Sequence, residues 1–366
     1  MKVKEVVSVL ERLAPPALAL EWDNVGLLVG EGSAEVRRLM LCIDLTPAVL
    51  AEARRAKAAM VMAYHPVIYK PIARVTAEAA PVVYAAAREG ISVYSMHTAW
   101  DSTVGGADDV LSDLMGLADR RPLIPAAKKG ECKIVVFVPP ADLSRVGDAA
   151  FGAGAGHIGG YSRCAFFSHG IGSFCGDVST HPALGRAGRP EAVEELRLEM
   201  VAPLEAAPAV CAAIRAAHSY ETPALDVYPL TGFPEGCGLG RIGRLSRPAT
   251  LGALVARIKK AVGASGALLA APVGRRGRIG LAACGVGAGR GVYRQAMVAG
   301  AGLFVTGEMP HHDALTAAES GMAVLCLRHS SSERLSLPHL AKRLALALPK
   351  LRVSLSRQDK DPYEFI

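Results

Sequence analysis

No apolar run of about 18 residues interrupts this chain, so no membrane-spanning helix is expected. The opening stretch, MKVKEVVSVLERLAPP, is broken by Lys2, Lys4, Glu5, Glu11 and Arg12, which leaves no secretory apolar segment. A cytoplasmic protein is the expectation. Aromatic residues are scarce at 5%, which argues against a base-stacking surface for single-stranded nucleic acid. None of the eight cysteines forms a C-x-x-C pair. Cys42, Cys284 and Cys326 sit inside apolar runs, where a reduced thiol behaves as a small hydrophobe. A disulfide framework and a cysteine-zinc site are therefore both disfavoured. A Walker-type phosphate loop is also missing.

The net charge is +7, but the basic residues are scattered. The densest runs, Lys128-Lys129 and Gly274–Arg278, read as surface turns without interleaved aromatics. Nucleic-acid binding is disfavoured on that ground. The length of 366 residues suggests two or three domains, and with 51% hydrophobic residues they can bury a sizeable core.

The chain then shows an α/β rhythm. An N-terminal helix ends near Leu13. RLMLCIDL (38–45) reads as a buried strand, and TPAVLAEARRAKA as a helix with Thr46 as its cap and Pro47 at its first position. AMVMAYH (59–65) and ISVYSMH (91–97) are further strands, separated by a helix that Gly90 closes. Late in the chain GRIGLAACGVG (277–287), GLFVTGE (302–308) and AVLCLRH (323–329) repeat the pattern with helices between them. Near-continuous apolar strands alternating with helices indicate a parallel, covered sheet. In the last helical stretch, SERLSLPHLAKRLALAL, Pro338 marks either a bend or a late start.

The middle differs. Residues 119–131 and 231–243, rich in charge and proline or in glycine, read as linkers. Between them the order β-α-β-β-α-β is the ferredoxin-like pattern. The expected fold class is thus α/β, with residues 1–125 and 233–366 as two lobes and an inserted ferredoxin-like domain at 126–232.

In open α/β sheets ligands sit beyond the carboxyl ends of the strands. Four predicted strands end there in metal-capable residues: His65, His97, Glu308 and His329, with Asp44 close to the end of the first strand. Asp101 follows His97 by four residues, and Glu333 follows His329 by four. If the chain turns helical at these points, each pair shares a face and can grip one ion. Mixed histidine and carboxylate ligands suit zinc, iron or manganese. Any one of these histidines is also compatible with a hydrogen-bonded rim position. His311 and His312 fit a polar first helical turn, and His157, His169, His181 and His218 read as surface or loop residues.

EWDNVGLLVG (21–30), AYHPVIYKPIARVT (63–76), HTAWD (97–101), TGEMPHHDAL (306–315) and HSSSER (329–334) together resemble the NIF-three-like family, also called type 2 GTP cyclohydrolase I homologues. SLSRQDKDPYEFI resembles the tail of its eukaryote-type branch. GAGHIGGYSRC (154–164) and HSYETPALDVYPL (218–230) are similar to the insertion of its longer bacterial members. The resemblance implies two similar α/β lobes facing across a metal cleft, an insertion similar to the PII and CutA signalling proteins, and assembly as a hexameric ring. It implies up to two divalent ions per chain, with His65, Asp101, His329 and Glu333 as ligands and Glu333 bridging. The family's His-His-Pro is Tyr64-His65-Pro66 here, which removes one nitrogen ligand and leaves His97 as a replacement. Such a centre implies hydrolysis. His97 and His312 are the candidates for catalytic proton transfer, or for orienting a ligand. The family label implies a nucleotide substrate, GTP; a phosphoester or amide fits the metal chemistry equally. Gly285–Arg290 reads as a phosphate cradle or a structural turn. The alternative to an enzyme is a metal-stabilised scaffold or regulator acting through protein partners.

Overall fold

The computed structural model describes residues 1–126, 128–232, 235–274 and 276–364. The protein is mixed α/β with three sheets among these residues. The described residues of 1–127 and 233–366 form one compact unit, and Lys128–Gly232 form a second. Among the described residues no helix is long and apolar enough to cross a membrane.

In the larger unit, the first sheet contains β1 (Gly26–Val29), β2 (Arg38–Cys42), β3 (Met60–Ala63), β4 (Ser92–Ser95) and β15 (Arg352–Leu355), in the order β1-β4-β3-β2-β15. β15, β2, β3 and β4 run parallel, whereas β1 pairs antiparallel with β4. The second sheet contains β5 (Leu117–Pro125), β10 (Gly238–Ala249), β11 (Leu268–Ala270), β12 (Ile279–Ala288), β13 (Leu303–Glu308) and β14 (Ala323–Cys326). Its order is β11-β14-β13-β12-β10-β5, with β12, β13 and β14 parallel and the others antiparallel. The parallel sheets expected from sequence are thus mixed: the first departs only at β1, and the second is parallel only in β12, β13 and β14.

β3 and β4 are buried along their whole length, which their unbroken apolar and small-residue content permits. The helix Pro47–Arg55 starts where expected, with the Thr46 side chain accepting from the Val49 amide and Pro47 in the first turn. One hydrophobic core joins the two sheets: Leu39, Met60 and Trp100 pack in the same cluster as Leu245, Val305 and Leu340. The last helical stretch divides into His329–Arg334 and Leu337–Ala347, so Pro338 lies in the first turn of the second helix.

Both expected linkers are corrected. Residues 117–125 and 238–249 are the paired strands β5 and β10, with Leu239 opposite Ile124 and Ile242 opposite Arg121. Glycine permits the close approach: a Cβ on Gly243 would lie 2.6 Å from the Ala118 carbonyl.

In the smaller unit, β6 (Lys128–Val138), β7 (Ala165–Cys175), β8 (Pro190–Pro203) and β9 (Leu225–Gly232) form an antiparallel sheet in the order β7-β8-β6-β9. The helices Leu143–Gly152 and Ala207–Ala217 give the element order β-α-β-β-α-β. Their Val146, Ala150, Val210 and Ile214 pack on Ile134, Val136, Leu198 and Met200. His218 is buried rather than at the surface: its Nε2 lies 2.9 Å from the Phe137 carbonyl, and its Nδ1 accepts from the Tyr220 amide.

Candidate metal centre

The carboxyl ends of the parallel strands in the larger unit bring the site together. Just past β3 the chain bends, with the Tyr64 and His65 amides donating to the Cys42 and Ile43 carbonyls. After β14 the backbone turns sharply at Arg328, which has φ 75°, and the helix His329–Arg334 begins. Its first and fifth residues, His329 and Glu333, therefore face one another.

His65, His329 and Glu333 each offer a ligand atom, and these atoms lie within 4.8 Å of one another. The His329 Nε2 is 3.1 Å from Glu333 Oε1, and the His65 Nε2 is 3.3 Å from Glu333 Oε2. The other nitrogen of each ring is also matched to a carboxylate. His65 Nδ1 lies 2.9 Å from Asp44, and His329 Nδ1 lies 3.1 Å from Glu308. The Glu333 side chain is only 3% exposed, and among the described residues its Oε2 lacks a partner with hydrogen-bond geometry. A buried carboxylate oxygen left this way costs free energy unless something else meets it.

Charge accumulates here. Burial works against a charged imidazole, yet Asp44 and Glu333 lift His65 to about 10. Glu333 and Glu308 lift His329 to about 9, against burial. Burial pushes the Glu333 carboxyl up, but the two histidines hold it below the ordinary value. Asp101 is pushed well up by burial and by the Asp108 and Glu333 carboxylates, while the hydrogen bond from Tyr64 pulls it down. That phenol is fully buried, and its O–H donates to Asp101 Oδ1.

Two cavities flank the cluster. One, of about 420 Å³, is lined by Asp44, His65, Glu308, Met309, Arg328, His329 and Tyr363 among others. The other, of about 400 Å³, is lined by Trp22, His97, Asp101, Asp108, Gly287 and Glu333 among others. His329 belongs to both.

The residues singled out from sequence divide accordingly. His65, His329 and Glu333 are brought together. Asp101 lies beside them but is engaged by Tyr64. His97 does not end a strand. It opens the helix His97–Ser102 at φ 29°, its ring centroid 5.2 Å from that of His65, and its Nδ1 lies 2.7 Å from Asp23. His312 is exposed, stacks edgewise on His311 and lines neither cavity. The stretch 285–290 is the end of β12 running into a 3-10 turn, and two of its amides are engaged by side chains: Asp108 accepts from Val286 at 2.9 Å and Ser332 accepts from Gly287 at 2.8 Å. In the basic run 274–278, Arg275 lies outside the described residues.

Sequence reasoning overlooked Asp23, Asp108 and the phenol of Tyr64 as site components. Asp23 stands in the EWDN motif and Asp108 in a helix first turn after two glycines, so each reads as an ordinary loop or helix-start acid. Burial raises the Asp108 carboxyl to about 6, with Arg241 and two backbone amides pulling against it.

Comparison with known proteins identifies the family. A family model described as Duf34/NIF3 (NGG1p interacting factor 3) matches residues 1–362. A Halalkalibacterium halodurans protein named GTP cyclohydrolase 1 type 2 homolog is 33% identical over 99% of this chain and 98% of its own. A Mycobacterium bovis protein of the same name is 36% identical over 91% of this chain and 88% of its own. A solved Bacillus cereus protein related to NIF3 superposes with a TM-score of 0.71 at 32% identity, covering 100% of this chain and 99% of its own. A solved Staphylococcus aureus protein, 24% identical, shares the fold with a TM-score of 0.82 over 100% of this chain and 99% of its own. The chain belongs to the Duf34/NIF3 family.

Proposed function

We propose that this chain is a divalent-metal protein with hydrolytic chemistry, its ion held by His65, His329 and Glu333, and with Asp101 as a further ligand once Tyr64 releases it. Zinc, iron or manganese suits this donor set, with up to two ions per chain. The observation that carries the reading is the buried Glu333 carboxylate, one oxygen unmatched, facing two imidazole nitrogens. A divalent ion there supplies a Lewis acid for hydrolysis near neutral pH.

The surrounding residues define the rest of the chemistry. Asp44 accepts from His65 Nδ1–H and the Glu308 carboxylate lies 3.1 Å from His329 Nδ1, which favours each Nε2 facing Glu333. His97, held by Asp23 and lining the acidic cavity, is placed to exchange a proton with a small molecule there. His312, exposed and outside both cavities, has no such support and takes no part in this reading. The two cavities admit a nucleotide-sized or smaller substrate. The name shared by the relatives makes GTP the first nucleotide to try. We further read the two sheets of the larger unit as two α/β lobes around this centre, Lys128–Gly232 as a ferredoxin-like insertion and the assembly as a hexameric ring.

Elemental analysis of metal-replete protein, wild type against His329→Ala and Glu333→Gln, tests the reading. Bound metal in the wild type and its loss in folded variants is the expected result. Turnover of GTP, a phosphodiester or a cyclic amide that disappears in the same variants makes the protein an enzyme. Metal without turnover makes it a scaffold, and no specific metal overturns the reading.

A further inference from the structure

Arg328, immediately before His329, has φ 75° and ψ 146°. That combination borders a region confined almost entirely to glycine, because a Cβ clashes there. A non-glycine residue stays in it only when its surroundings hold it. The C-terminal segment grips Arg328: its Nη1 donates to the Tyr363 carbonyl at 2.6 Å and lies 3.5 Å from Asp361.

The same segment grips the following helix. Asp361 Oδ2 accepts from the hydroxyls of Ser330, at 2.8 Å, and Ser331, at 3.1 Å. The Asp359 carboxylate is buried, accepts from the Ile43 amide at 2.8 Å and pairs with Arg334. Upstream, Glu52 accepts from the Ser356 hydroxyl and the Arg357 and Gln358 amides, which anchors the segment to the first sheet's helix. Two of the three fixed points on the helix His329–Arg334, Ser330 and Arg334, thus adjoin His329 and Glu333, and the anchors on the far side lie just after β2 and on the helix that precedes β3.

We infer that Asp359–Tyr363 is a positioning element that holds Arg328 in its strained backbone conformation, so that the helix beginning there aims His329 and Glu333 at His65. The functional meaning of this device rests on the metal reading above; the device itself does not.

Two measurements on the full-length chain separate them. Amide hydrogen exchange in the metal-free protein is compared for wild type, Asp361→Ala, Asp361→Ala with Arg328→Gly, and Lys360→Ala. Lys360 is exposed and serves as the control. Exchange across 329–334 is expected to quicken about tenfold in Asp361→Ala, to return toward wild type when glycine relieves residue 328, and to stay unchanged in Lys360→Ala. Cobalt(II) is then titrated into the same proteins. Asp361→Ala is expected to bind it about tenfold more weakly with a shifted visible spectrum, because groups that orient ligands typically carry 10–100-fold in affinity. Asp361→Asn, which keeps one acceptor oxygen, covers the case in which the alanine variant fails to fold. Unchanged exchange at 329–334 in a folded Asp361 variant overturns the inference. Wild-type protein that binds no cobalt overturns the metal reading alone, and the exchange result still decides the positioning role.

Discussion

Arg241→Met is the sharpest test of how the larger unit is braced beneath its acidic cavity. Arg241 is 1% exposed. Its Nε donates to Asp109 at 2.6 Å, its Nη1 to the Gly238 and Gly240 carbonyls and its Nη2 to the Thr103 carbonyl. Methionine fills similar space but leaves three carbonyls without that donor and two buried carboxylates without this cation. Breaking a buried pair from one side costs about 3–5 kcal/mol. Arg120 also lies 3.2 Å from Asp109, so the lower end, about 3 kcal/mol, is expected. The loss should depend on pH. A carboxyl whose folded pKa lies above its unfolded value binds protons more tightly when folded. Its contribution is therefore present in acid and lost as pH rises from the unfolded value through the folded one. Asp108 already sits at about 6 with Arg241 pulling it down. Without Arg241 it climbs, and the gap between wild type and variant widens above pH 6 by up to about 1.4 kcal/mol per pH unit until the new pKa is passed. Both tryptophans, Trp22 and Trp100, lie in this unit, so urea unfolding followed by tryptophan fluorescence at pH 5.5 and 8 reads it directly. A loss under about 1 kcal/mol at pH 8, or one independent of pH, would refute the reasoning.

Gly287→Ala should damage the site with little change elsewhere. Residue 287 has φ 61°, and its Cβ would stand 2.6 Å from Glu333 Oε1 and 3.4 Å from His329 Nε2, so metal retention against a chelator should fall by about an order of magnitude. Metal uptake at pH 7.5 should release close to two protons per ion, because His65 at about 10 and His329 at about 9 are charged before binding and neutral as ligands. A weakly buffered titration with a pH indicator measures it, and release near zero excludes the paired histidines as ligands. The same raised values stabilise the metal-free fold fully below pH 6.5, and that stabilisation is lost as pH rises through 9 to 10, so the chelated protein should melt at a lower temperature at pH 10 than at pH 7.

The residues that meet were legible where local pattern and topology coincide. His65 and His329 follow apolar strands that run parallel to a neighbouring strand in two separate sheets, and the spacing from His329 to Glu333 is one helical turn, so period and strand-end position located them without distant information. β5 and β10 were illegible because their reasons are not local. β5 is an edge strand that carries Pro122 and Pro125, and its register is set by β10, more than a hundred residues later. The glycines of β10 look like turn residues, yet Gly240 and Gly243 are there so that backbone can approach backbone. His97 misled for a related reason. The strand stops at Ser95, and the positive φ of residue 97, with Asp23 receiving its Nδ1, is a tertiary arrangement that no periodicity encodes.

The hydrogen-bond pattern around the two imidazoles limits what the centre can be. Each ring gives Nδ1 to a carboxylate outside the cluster, Asp44 or Glu308, and each turns Nε2 toward Glu333. If the rings are neutral, Nδ1 carries the proton and both Nε2 lone pairs point at a buried carboxylate, an arrangement of three acceptors with no donor. Something positive must sit among them. Protons serve in the metal-free chain, which is why both rings are pushed so far above their ordinary value. A divalent ion, as proposed, would serve the same place with one particle instead of two protons, and would also meet the Glu333 oxygen that the protons leave without a hydrogen bond. On the proposed metal reading, proton and metal would compete for one position, and the affinity of the centre should be set as much by the carboxylates behind the histidines as by the histidines themselves.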